Sequence, residues 1–384
     1  MKSKGIRKAG LSAIAFFVLD IILSGCTSLR SLVGGLPSTG RDPAEVLAEY
    51  VTKRGLPAAA LLALGPEGVL VKELAGVRKA GSEQPVERDD AFHIGSDTKA
   101  MTALLCAMAV DEGRLAWNSS VAEVLGRNIA GNFAAVTLEQ LLSHSSGMAG
   151  NPPASWKSFF EAWEEPVAQE RERMAKDALA GRPASKPARA FIYSNFNYVV
   201  AGLMLERVYG ESWEKLIGER IFMPLGMEGA GFGPPNTGSG DDAPWGHSPR
   251  PVPFGPYADN PPAIGPAGTV HLSLDDLAAW LRFILDGGRA ADGTRLVSEE
   301  SFRSLFVLRP GSGVYALGWG VVSGPAGETM YAHDGSNTMF YCSILILPDS
   351  GQAFAVLANR GDGPTAGRVA ELREYLRKRQ IGGG

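Results

Sequence analysis

Residues 58–64 and 69–74 are two apolar runs around the turn Gly65-Pro66-Glu67-Gly68. Four further runs, 318–322, 329–333, 340–347 and 353–358, follow toward the C-terminal end. Short apolar runs bounded by turn residues predict strands. Helical spacing dominates elsewhere. Residues 42–54 bring Val46, Leu47, Tyr50 and Val51 together behind an Asp42-Pro43 start, and 138–142, 156–175 and 198–209 also read as helix. Residues 273–285 open on Ser273, a good N-cap, with Asp275 and Asp276 in the first turn and Leu277, Trp280, Leu281 and Ile284 as an apolar stripe. Residues 366–379 predict a basic amphipathic helix, and the Gly- and Pro-rich stretch 236–262 a long ordered loop. One segment differs from all of these. Residues 100–110 are apolar nearly all round, which predicts a helix buried on every side, running from Ser96 to near Gly113. Strands at both ends with helices between them predict an α+β architecture: one sheet from the N- and C-terminal parts, flanked by helices, with a helical subdomain inserted.

The chain has 384 residues, 45% hydrophobic and 20% charged, enough for a large core. A net charge of −4, with no basic run beyond the termini, argues against a nucleic-acid partner. Lys2, Lys4, Arg7 and Lys8 precede an apolar stretch, 9–23, that is short for a membrane span and interrupted by Asp20. It ends in Leu23-Ser24-Gly25-Cys26, which resembles the lipobox of bacterial lipoproteins. That resemblance implies cleavage before Cys26 and lipidation of its thiol. The protein is then exported and held at the periplasmic face of a bacterial membrane, with Thr27 rather than Asp leaning toward the outer membrane. The expected organisation is a signal peptide over 1–25, a lipidated tether over 26–41 and a catalytic domain over 42–380. Within that domain, 42–95 and about 263–380 form the α/β part and about 96–262 the helical part and loops. Cys106 and Cys342 fall in apolar runs and are expected to be buried and unpaired. The five histidines are scattered without ligand spacing, so neither a metal site nor a cofactor is expected.

Ser96 and Lys99, at the start of the all-apolar helix, are three residues apart and share one helical face. A serine hydroxyl needs a neighbouring base to become a nucleophile, and a lysine in a dry pocket can lose its proton and serve. The blander alternative is a helix cap beside a surface lysine. Two other clusters suit the first reading. In Tyr193-Ser194-Asn195, a phenol beside Lys99 has its pKa depressed and acts as a general base, while Asn195 holds the lysine or a substrate carbonyl. The alternative is a turn tyrosine followed by a helix cap. In His333-Asp334-Gly335-Ser336, a glycine on a strand permits close backbone approach, the N–H groups of Ser336 and Ser96 form an oxyanion hole, and His333 lies on the pocket wall. The alternative is a strand-to-strand turn.

Ser96-x-x-Lys99, Tyr193-x-Asn195 and His333-x-Gly335 occur in the order of the three motifs of serine β-lactamases and penicillin-binding proteins. The chain most resembles the class C β-lactamase-related group, which includes D-alanyl-D-alanine carboxypeptidases, D-aminopeptidases and family VIII carboxylesterases. Supporting segments are Asp111 to Leu115, Leu141 to Gly147, Pro224 to Met227, Pro266-Ala267-Gly268 and Leu317 to Gly320. The resemblance implies an antiparallel β-sheet flanked by helices, the β-lactamase/transpeptidase-like fold. It also implies a serine hydrolase with Ser96 as the acylated nucleophile and Lys99 and Tyr193 sharing proton transfer. Asn195 orients Lys99 and the substrate amide, and the N–H groups of Ser96 and Ser336 bind the oxyanion. His144, in Leu141 to Gly147, reads as a structural turn residue.

The third motif departs from the pattern. β-Lactamases carry Lys-Thr-Gly there, and this chain has His333-Asp334-Gly335. A histidine is largely neutral near pH 7 at its reference pKa, so the attraction for a substrate carboxylate is weaker. This turns the expected substrate toward esters, D-amino-acid amides or peptidoglycan-type peptides. A genuine class C-like β-lactamase and a non-catalytic cell-wall-binding or penicillin-binding protein are the alternatives.

Overall fold

The structure is a computed structural model that describes residues 36–381. The expected signal peptide over 1–25, the lipidation site Cys26 and most of the tether lie outside the described residues. Among the described residues there are nine strands: β1 (Ala58–Gly65), β2 (Gly68–Gly76), β3 (Phe92–His93), β4 (Gly231–Phe232), β5 (Val270–Leu272), β6 (Gly320–Ser323), β7 (Thr329–Ser336), β8 (Tyr341–Leu347) and β9 (Gln352–Ala358). The six-stranded sheet has the order β2-β1-β9-β8-β7-β6 and is antiparallel at every pair. A small second sheet joins β3, β5 and β4. The longer helices are α1 (Pro43–Lys53), α2 (Thr98–Asp111), α3 (Val167–Ala180), α4 (Asn195–Tyr209), α5 (Leu274–Leu285) and α6 (Gly363–Ile381).

Strand β1 shows why two layers of helix are needed. It is buried along its whole length, and its side chains alternate between faces. Ala59, Leu61 and Ala63 join Val46, Leu47 and Tyr50 of α1 and Val369, Leu372 and Leu376 of α6 in one core. Ala58, Ala60, Leu62 and Leu64 face the larger core, to which α2, α4 and α5 contribute. The all-apolar stretch forms α2 as expected, and every residue from Thr98 to Ala109 is buried. A single 3₁₀ turn, Gly95–Asp97, precedes it and carries Ser96.

Three elements differ from expectation. The helix expected over 156–175 is two helices, Trp156–Glu161 and α3, because Pro166 lacks an N–H and cannot continue a helical ladder. Helix α4 starts at Asn195 rather than 198, following an extended Ser194. Strand β7 runs on to Ser336, past the expected end at 333, because β8 pairs with it through Ser336↔Tyr341. The loop expected over 236–262 holds, pinned where His247 bridges to Arg360 and donates its Nδ1–H to the Asn359 carbonyl at 2.6 Å. Cys106 and Cys342 are buried and unpaired. Among the described residues no helix is long and apolar enough to cross a membrane.

Candidate active site

Ser96 is the one residue between Phe92 and Ala100 that is not buried. The 3₁₀ turn lifts it to the floor of an open cavity, while α2 drops below it into the core. One turn on, Lys99 is fully buried, with Nζ 3.0 Å from Ser96 Oγ and 2.6 Å from the carbonyl of Ala267. Burial drives the Lys99 ammonium well below the usual lysine range, against a smaller opposing pull from the Asp97 carboxyl. A neutral amine accepts the Ser96 hydroxyl proton through its lone pair and still donates to Ala267.

Tyr193, in the extended segment before α4, donates its O–H to Ser96 Oγ at 2.8 Å. Its ring lies 5.0 Å from Lys99 Nζ. The expectation that its pKa is depressed is corrected: burial pushes the phenol above the usual tyrosine range, outweighing its bond to Ser96. Desolvation acts on both neighbours of Ser96, favouring neutral lysine and neutral phenol. The two are therefore equipped to take and to give a proton respectively.

Asn195 opens α4 and lines the cavity, where its Oδ1 is buried without a hydrogen-bond partner. It is not among the hydrogen-bond partners of Lys99, which are Ser96 and the Ala267 carbonyl. Its oxygen is free to accept a substrate N–H.

Strand β7 packs its backbone against the turn that carries Ser96. A Cβ on Gly335 would stand 1.9 Å from the Ile94 carbonyl oxygen and 2.8 Å from the Ser96 nitrogen. Only glycine allows this approach. Ser336 follows on the cavity wall. The structure places His333 elsewhere than on that wall. It is fully buried behind it, with Nε2 2.9 Å from the Tyr315 hydroxyl and Nδ1 2.9 Å from Asp97 Oδ1, at ion-pair distance though off the line of a ring N–H. Asp334 points the other way, to Ser343 and to Arg373 of α6, where the strand's alternation sends it. His144 is buried in a left-handed backbone conformation (φ 54°). Its Nδ1 accepts from the Ser194 N–H, and its ring lies 4.3 Å from that of Tyr193.

Sequence reasoning missed three parts of the site. The Ala267 carbonyl anchors Lys99, although Pro266-Ala267-Gly268 carried no side chain to announce it. Asp97 is buried beside His333, and its only signal was a carboxyl placed between Ser96 and the helix that follows it. Tyr315 gave no signal at all. Around Ser96 the cavity is about 480 Å³, in the range of small-molecule sites, and is lined on its polar side by Tyr193, Asn195, Ser336 and Asn337. Among the described residues no cluster of metal-ligating side chains occurs.

The fold recurs in known proteins. The chain is 30% identical over 331 residues to penicillin-binding protein 4 of Amycolatopsis lactamdurans, covering 81% of this chain and 82% of the relative. The octameric penicillin-binding protein homologue from Pyrococcus abyssi superposes with a TM-score of 0.71 at 25% identity, over 88% of this chain and 77% of that one. D-alanine carboxypeptidase AmpC from Burkholderia cenocepacia gives a TM-score of 0.68 at 20% identity, over 88% and 97%. The beta-lactamase family profile matches residues 44–377, from α1 into α6 and through every motif of the site, and the chain belongs to that family.

Proposed function

We propose that this protein is a serine hydrolase that cleaves esters or D-amino-acid amides through an acyl-enzyme on Ser96. The observation that carries the reading is a single hydroxyl, Ser96 Oγ, within hydrogen-bond reach of both a buried lysine at 3.0 Å and a phenol at 2.8 Å. In the proposed cycle the Ser96 proton passes to Lys99 Nζ as Oγ attacks the substrate carbonyl carbon. The N–H groups of Ser96 and Ser336 receive the oxyanion. Collapse breaks the C–O or C–N bond. The leaving group takes its proton from Tyr193, which recovers one from the Lys99 ammonium. Water then repeats the sequence against the acyl-enzyme, releasing the acid and restoring Ser96. Asn195 Oδ1 accepts the N–H of an amide substrate. Ser96→Ala is expected to lower p-nitrophenyl ester turnover by at least about 10³-fold and to abolish labelling by a fluorophosphonate, with the fold unchanged by circular dichroism. Undiminished turnover by Ser96→Ala would sink the reading.

A second reading is favoured by the 30% relative, which is a penicillin-binding protein. It holds that a penicillin acylates Ser96 and leaves slowly. A fluorescent penicillin that stays bound through denaturation, with no nitrocefin turnover, supports it. Fast nitrocefin turnover would instead support a β-lactamase.

The lipobox-like Leu23-Ser24-Gly25-Cys26 supports an anchored location. In a Gram-negative host the full chain is expected to sediment with membranes and Cys26→Ala to appear in the soluble periplasmic fraction. Equal membrane association of both forms would overturn the anchor.

A further inference from the structure

The short helix Trp156–Glu161 and the long loop over 236–262 meet at the Ser96 cavity. They meet through aromatic rings. Phe160, from the short helix Trp156–Glu161, stacks on Tyr257 of the long loop at 5.1 Å between centroids, with the planes 22° apart. Trp156 packs edge-on against Phe160 at 5.4 Å and against Phe196 of α4 at 6.0 Å. Phe196, Trp156, Phe160 and Tyr257 thus form a continuous row of rings, and all four line the Ser96 cavity. The row is not sealed into the core. Tyr257 is 53% exposed, and Trp156 and Phe160 are only partly covered. Aromatic surface left uncovered inside a cleft is apolar area that a ligand can remove from water.

Charge in the cavity points the same way. Among the residues lining it none is lysine or arginine, and the one charged side chain is the carboxyl of Asp259. Asp259 is nearly buried: its Oδ1 accepts from Asn337 Nδ2 and from the Asn260 N–H, each at 2.7 Å, while its Oδ2 lies 3.0 Å from His93 Nε2, at ion-pair distance though off the line of the ring N–H. Through Oδ1 it ties Asn337 and Asn260 of the far wall together. Its negative charge disfavours a carboxylate nearby. His333, which stands where the family pattern has a lysine, is sealed behind the strand.

We propose that the ring row is the acyl-side subsite, and that it selects acyl groups bearing an uncharged aromatic side chain over short or anionic ones. This rests on the Ser96 acyl-enzyme reading and adds a substrate class to it. The reacting carbonyl lies on the polar side, at Ser96, Asn195 and Ser336, and the side chain lies on Trp156 and Phe160. A cavity of about 480 Å³ has room for both, well beyond an acetyl group. Offset or edge-on contact of a substrate ring with the row adds to its area burial.

Four p-nitrophenyl esters test the proposal: acetate, phenylacetate, valerate and the hemiglutarate, which has valerate's reach but ends in a carboxylate. The expected result is kcat/KM at least 10-fold higher for phenylacetate than for acetate, and at least 10-fold higher for valerate than for hemiglutarate. In Trp156→Ala the phenylacetate-to-acetate ratio is expected to fall toward one, chiefly through KM. Tyr257→Ala, at an exposed position where folding is not at issue, is expected to lower it in the same direction. Thr338→Lys, at an exposed residue on the cavity rim, is expected to raise hemiglutarate relative to valerate. Phenylacetate no better than acetate, hemiglutarate equal to valerate, or ratios unmoved by both aromatic substitutions would overturn the subsite. A wild-type enzyme with no Ser96-dependent turnover of any of the four esters would instead overturn the underlying function, so the two failures are distinguishable.

Discussion

Lys99 and Tyr193 are each one hydrogen bond from Ser96, and burial moves their proton affinities in opposite directions. The lysine is pushed down and the tyrosine up. Activity through neutral Lys99 then requires that Lys99 has lost its proton. Rate rises with pH as the lowered lysine pKa is passed, so the acid limb lies well below the usual lysine value. No alkaline limb from Tyr193 is expected within the usual tyrosine range, because its proton is held more tightly than normal. Measured kcat/KM against pH is expected to show a single acid limb followed by a plateau. Tyr193→Phe is expected to lower the plateau by about 10²-fold while keeping the acid limb, since a proton donor has been lost and not the base. Lys99→Met is expected to remove the limb altogether. An acid limb that survives in Lys99→Met but vanishes in Tyr193→Phe would reverse the assignment of base and acid.

Two of the elements that carry the site, the turn before α2 and the end of β7, meet through backbone. Gly335 is the narrowest point of their contact, since any Cβ there would run into the Ile94 carbonyl. Gly335→Ala must push β7 away from Ser96 or tilt the turn. It is expected to destabilise by about 1–3 kcal/mol, as overpacking does. It is also expected to cost more than 10-fold in kcat, because the N–H groups of Ser96 and Ser336 lose their common focus. A variant with lowered Tm and normal kcat would show the contact to be structural alone. This contact also separates what sequence revealed from what it did not. Ser96 and Lys99 were legible because helical periodicity fixes their relative placement within one turn. The sheet halves were legible because alternation and turn residues are local signals. His333 was placed on the wrong side of the wall because a strand's alternation says only which sheet face a side chain takes. It does not say that Asp97 and Tyr315, distant in sequence, would enclose it there. The break at Pro166 was readable in principle, since proline marks it directly. The meeting of Phe160 with Tyr257 was not, because it depends on how a short helix and a loop distant in sequence pack together.

The whole molecule holds the inserted helical region to the sheet-bearing part through the segment 262–268, whose carbonyls anchor both Lys99 and, through Pro266, the Thr102 hydroxyl. Arg171 of α3 ties that segment down from the other side. Its guanidinium is fully buried, donates to the Ala263 carbonyl at 3.2 Å, and is paired with Glu206 of α4 and with Glu214. One cation therefore satisfies two carboxylates and a carbonyl, and joins α3 and α4 to the strip that fixes Lys99. Removing one member of a buried ionic group leaves the others uncompensated, at about 3–5 kcal/mol. Arg171→Ala is expected to lower both Tm and kcat, although the residue lies outside the cavity. The loss has a defined pH dependence. Burial already raises the Glu206 pKa, with Arg171 the largest opposing influence. Without Arg171 the folded-state pKa rises further above the unfolded value, so the folded protein binds a proton that the unfolded chain releases. Such a group lowers stability progressively as pH rises from the unfolded pKa through the folded one. The Tm difference between wild type and Arg171→Ala is therefore expected to be smaller at pH 5 than at pH 8. A difference independent of pH would mean that the lost guanidinium acts through packing and its bond to Ala263 rather than through the two glutamates.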